Sequence, residues 1–126
     1  MNRDYTYLKW ILAVLWTAFI VFGLMLEPSE PPRFPWLVKP GVDKLIHGIL
    51  FFVEAGLLAW GPLRNKNWIS IVWCFLFGGG LELIQHFWIN GRFGQPMDLV
   101  ADMVGAVLGI WLTTRLLKKY NGVCGK

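Results

Sequence analysis

The chain has 126 residues, room for a single domain. Hydrophobic residues make up 56% of it and mean hydropathy is +0.49, which excludes an ordinary water-soluble core of this size. The net charge of +4 comes without a basic patch interleaved with aromatics, which excludes nucleic acid as a partner and points to membrane orientation instead.

A helix crosses the hydrocarbon core with about 20 mostly apolar residues, and four runs meet that need. The first, Leu8 to Leu26, follows Arg3 and Lys9 as a signal peptide would. It exceeds an h-region of about 7–15 residues and no A-x-A site follows, so it reads as a retained span. Residues 27–40 then carry Pro28, Pro31, Pro32, Pro35 and Pro40 and cannot be helical throughout. Within them, Phe34 and Trp36 suit the headgroup level. The second run, Leu45 to Trp60, extends outward to Asp43, a good N-cap whose charge suits the positive end of a helix dipole. The third, Trp68 to Ile89, contains Gly78-Gly79-Gly80, read as a close-packing or bending site because no G-K-[ST] follows. The fourth, Leu99 to Leu117, carries G-A-V-L-G from Gly105 to Gly109, a small-xxx-small face for helix contact. Cys74 and Cys124 lie far apart along the chain and read as free thiols. The expected fold is all-α: a polytopic four-transmembrane-helix bundle, one domain over 1–126, with spans at about 8–26, 43–62, 68–89 and 98–117.

Basic residues orient this bundle. Arg3, Lys9, Arg64, Lys66, Arg115, Lys118, Lys119 and Lys126 fall on one side and Arg33, Lys39, Lys44 and Arg92 on the other. Eight against four places both termini in the cytoplasm. Asp43, Lys44 and His47 at the start of the second span then reach the same outer depth as Glu82, Gln85 and His86 at the end of the third. Arg92, Asp98 and Asp102 join them, and Glu54 lies deeper. At about 100° per residue, Asp43, His47 and Glu54 share a sector of about 40°. Gly78, Glu82 and Gln85 share about 60°, and so do Asp98, Asp102, Gly105 and Gly109. The acidic residues of the fourth span therefore lie on its packing face.

Charges at bilayer depth persist when they pair, stay neutral or meet water. Arg92 is the expected partner of Glu82 or Asp98, and its fork also suits a phosphate. Glu54 is expected neutral and hydrogen-bonded inside the bundle. His47 and His86 stand in no H-E-x-x-H or comparable local spacing, so neither a metal nor another cofactor is expected.

D-K-L-I-H at Asp43 to His47, E-L-I-Q at Glu82 to Gln85, Arg92, and D-L-V-A-D-M-V-G-A-V-L-G from Asp98 to Gly109 together resemble the VanZ-like family. That family's pattern has Asn where this chain has Asp102, which adds negative charge at the site. The resemblance implies a bacterial cytoplasmic (inner) membrane protein and a link to teicoplanin resistance, with no catalytic residue assigned. The leading expectation is a ligand site of Asp43, Lys44, His47, Glu82, Gln85, Arg92, Asp98 and Asp102. It recognises membrane lipids, a lipid-linked envelope precursor or a lipoglycopeptide antibiotic at the outer leaflet. The alternatives are a membrane enzyme acting on a lipid-linked substrate with Glu82 or Asp98 as base, and a structural scaffold of a membrane complex.

Overall fold

The computed structural model describes residues 3–25, 41–88 and 95–124. They form four helices and, among the described residues, no strand. The helices are α1 (Arg3–Met25), α2 (Val42–Trp60), α3 (Asn67–Trp88) and α4 (Pro96–Cys124). Three have the length and composition to cross a membrane, over Tyr5–Met25, Asn67–Trp88 and Pro96–Gly122. The fourth, α2, packs Asp43, Lys44 and Glu54 into 19 residues. It is the most enclosed helix, burying His47, Phe51, Glu54, Ala55, Leu58 and Ala59.

Helix bounds follow the apolar runs closely except at the first and last ends: α1 begins at Arg3, ahead of Leu8. α4 continues past Leu117 to Cys124, because Lys118, Lys119 and Tyr120 end the apolar window without ending the helix. No Pro follows, and these side chains are compatible with helix. At the start of α2, Gly41 takes the N-cap position with φ 93, a left-handed conformation natural to glycine. Asp43 therefore does not cap the helix. It sits in the first turn, where its charge still meets the positive end of the dipole.

The bundle is built on α2 and α4, which run parallel and touch backbone to backbone. A Cβ at Gly105 would collide with the carbonyl of Gly48, and one at Gly109 with the carbonyl of Phe52. Gly56 repeats the arrangement one turn on, where an added Cβ would lie 3.1 Å from Thr113 Oγ1. Such proximity admits Cα–H···O contacts and dense dispersion that larger side chains would prevent. Gly78 of α3 lies against the same pair: a Cβ there would come within 2.8 Å of Asp102 Oδ2. Gly79 and Gly80 face open space, so only the first glycine of the triplet is a packing site.

Polar side chains fasten α1 and α3 to this pair. Trp16 Nε1 donates to the Leu50 carbonyl at 3.0 Å. Thr17 Oγ1 and Trp73 Nε1 donate to Glu54 Oε1 at 2.8 and 3.1 Å, holding a carboxyl group with 0% exposure. Glu54 thus joins three helices, and the hydrogen bonding expected of it inside the bundle is present. Large apolar side chains such as Phe22, Leu76 and Trp88 point outward, an arrangement suited to lipid rather than water.

The glycine contact makes a graded prediction. Gly105→Ala and Gly109→Ala force the helices apart and should each cost about 1–3 kcal/mol, the usual range for overpacking. Gly79→Ala and Gly80→Ala should leave stability unchanged or raise it, since Ala is the better helix former. Thermal melts in detergent check this; equal effects at all four positions would contradict the packing.

Candidate functional site

The parallel register of α2 and α4 carries the first turns of both to one end of the bundle, where the last turns of α3 join them. His47 Nδ1–H donates to Asp102 Oδ1 at 3.0 Å, linking α2 to α4. Both residues are 1% exposed. Glu82 Oε1, from α3, approaches the same His47 nitrogen at 3.9 Å. Asp102 reaches this position because Gly78 leaves room for its carboxylate.

A second layer lies toward the end of the bundle. Lys44 Nζ pairs with Asp98 Oδ1 at 3.3 Å and donates to Gln95 Oε1 at 2.9 Å. The backbone N–H of Gln95 donates to Glu82 Oε2 at 2.9 Å. Gln95 thereby stitches α3 to α4 through its main chain and α4 to α2 through its side chain. Lys44 is the more exposed partner of its pair, while Asp98 is buried. Their attraction therefore acts partly in a water-poor setting, where screening is weak.

Of the eight residues singled out in the sequence, five meet directly here: Lys44, His47, Glu82, Asp98 and Asp102. Asp43 lies beside them, with a ligating oxygen close to His47 and Asp98. Gln85 turns away: its Nε2 donates to the Leu24 carbonyl at 2.8 Å, tying α3 to α1. Arg92, and with it the expected pairing to Glu82 or Asp98, lies outside the described residues. His86 is exposed and makes an edge contact with Phe87.

Gln95, Thr17, Trp16 and Trp73 were not anticipated. The signal available for the last three is that a hydroxyl or indole N–H buried in a span needs an acceptor. Gln95 precedes α4, and nothing in its local sequence announces its two partners.

Two clusters of potential cation ligands occur among the described residues: Asp43 with His47 and Asp98, and His47 with Glu82 and Asp102. Each draws on more than one helix, so the lack of a local ligand motif did not exclude them. Between α3 and α4 a crevice of about 520 Å³ runs down from Glu82, His86 and Gln95. Its walls below are apolar, formed by Phe75, Leu76, Leu83 and Leu99, with Gly79 and Gly80 as its floor.

The sequence matches the VanZ/LLP1 family over residues 8–118. No curated protein and no solved structure matches it.

The His47–Asp102 contact is checked by a double-mutant cycle in detergent. His47→Ala or Asp102→Ala alone should cost about 3–5 kcal/mol, because each strands a buried polar partner. Together they should cost less than the sum, with a coupling of about 0.5–3 kcal/mol. Additive losses would contradict the contact.

Proposed function

The chain belongs to the VanZ/LLP1 family, and from that premise we propose that it recognises an envelope lipid or lipid-linked glycan at the outer leaflet. All four helices cross the bilayer in this reading, with both termini in the cytoplasm. The requirement that backbone groups be satisfied within each span is met by helices throughout. The polar residues of α2 are tolerated because neighbouring helices, not lipid, enclose them.

The observation that carries the reading is the crevice between α3 and α4, which joins apolar walls to a polar end. An acyl or polyprenyl chain lies along Phe75, Leu76, Leu83 and Leu99. The headgroup then meets Gln95, His86 and Glu82, with Lys44 and Asp98 behind them. Carboxylates and the Gln95 amide accept and donate hydrogen bonds to sugar or amide groups, while Lys44 supplies a point charge for an anionic oxygen. Arg92, three residues before Gln95 in sequence, adds a guanidinium suited to bidentate binding of phosphate.

Gly79 and Gly80 give the test, because a side chain at either position enters open space. Gly80→Leu should fill the crevice without disturbing the fold. In native mass spectrometry, the adducts of phosphatidylglycerol and of a polyprenyl phosphate should fall by about tenfold, a loss of about 1.4 kcal/mol. The melting temperature should hold or rise. Unchanged adducts with a filled crevice would contradict the reading.

A further inference from the structure

Three helices bring one donor each to a single point beneath the headgroup end of the crevice. A ring nitrogen of His47 on α2, a carboxylate oxygen of Glu82 on α3 and one of Asp102 on α4 all lie within 4.8 Å of one another. His47 and Asp102 are 1% exposed, and the Glu82 side chain 11%. The hydrogen-bond inventory at this point is incomplete. His47 Nδ1–H serves Asp102, and the Gln95 N–H serves Glu82 Oε2. Glu82 Oε1 is buried, aimed at His47 from 3.9 Å, and accepts no hydrogen bond. Asp98 Oδ1, one turn away on α4, also receives none and has Lys44 Nζ at 3.3 Å. A buried carboxylate oxygen without a donor is costly and calls for a cation.

We propose that His47, Glu82 and Asp102 bind a divalent first-row cation of the manganese or zinc class. One imidazole nitrogen with two carboxylate oxygens is a borderline-to-hard donor set, suited to these ions. Three protein ligands leave coordination positions open, as in sites that also take water or a substrate oxygen. The supporting contacts are those of a held ligand set. The Gln95 N–H fixes the Glu82 carboxylate, and Gly78 admits the Asp102 carboxylate to its place. Binding displaces the hydrogen now shared by His47 and Asp102, so uptake of the ion competes with protons. Among the described residues, Asp43, Asp98 and Lys44 are the other charged groups around the site; the two carboxylates favour a cation and the ammonium opposes it. Glu82 also lines the crevice, which puts the ion beside the headgroup position. A divalent ion there reconciles an acid-rich site with a phosphate-bearing ligand. That last role rests on the function proposed above; binding of the ion itself does not.

The full chain, stripped with a chelator and held in phosphatidylcholine nanodiscs, is titrated with MnCl2 and with ZnCl2 by calorimetry. One saturable ion per chain is expected. Glu82→Gln and Asp102→Asn should each weaken it about tenfold or more, and Asp43→Asn should leave it within about twofold. Absence of saturable binding overturns the site. So does a loss in Asp43→Asn with none in Glu82→Gln, which would assign the ion to Asp43, His47 and Asp98. Should the variants not fold, Co2+ added to the wild-type chain keeps the question answerable. A visible spectrum of protein-bound Co2+ with a nitrogen ligand that persists in Asp43→Asn supports the site, and the spectrum of the hydrated ion overturns it. Lipid adducts retained without metal binding would refute this site and leave the lipid reading standing. Metal binding without lipid adducts would do the reverse.

Discussion

The closeness of α2 and α4 is the constraint on which the rest of the structure depends. It exists because Gly105 and Gly109 present no side chain to the carbonyls of Gly48 and Phe52. In lipid, apolar side chains gain little by leaving one hydrocarbon environment for another, so close backbone packing has to supply much of the helix association. The same contact fixes a parallel register. That register sets Lys44 opposite Asp98 and His47 opposite Asp102. A bulkier face would separate the helices and dissolve the polar cluster along with the packing.

Polar groups at two depths serve two purposes. The deeper set, Thr17 and Trp73 on Glu54, is enclosed by α1, α2 and α3 and makes a structural joint. The set at the helix starts is built differently. Among the described residues its acidic groups outnumber its basic ones: Asp43, Glu82, Asp98 and Asp102 stand with Lys44 and His47. A purely structural network would gain from matching these charges, because unmatched buried charge is expensive at this depth. Under the proposed function, that set of acidic groups beside the crevice serves an external partner.

Much of this was legible in the residues, and the gaps have physical causes. Apolar runs located all four helices, three of which have the length and composition of a span. Helical phase put Asp98, Asp102, Gly105 and Gly109 on one face, and α4 uses that face against α2. Phase assigns faces, however, and not partners. Gln85 shares a face with Glu82, yet its amide reaches the Leu24 carbonyl on α1. Asp98 meets Lys44 on α2, a pairing that shared depth alone does not name. The Gln95 contacts depend on how the chain enters α4, which periodicity does not encode. Local spacing is likewise silent on the candidate cation cluster, because one donor from each of three helices leaves no motif along the chain. The extension of α4 to Cys124 was missed because hydropathy marks the end of the apolar segment and not the end of the helix.

Under the proposed function, the space between α3 and α4 holds a lipid chain in preference to the remaining lipid-facing surface. Photo-crosslinking in intact membranes measures this directly, using phosphatidylglycerol with a diazirine in its acyl chain and mapping the labelled peptides. Label should concentrate on Phe75, Leu76, Leu83 and Leu99, with little on the exposed Val14 and Phe22 of α1. Even labelling of α1, α3 and α4 would contradict it, because the crevice would then be ordinary lipid-facing surface.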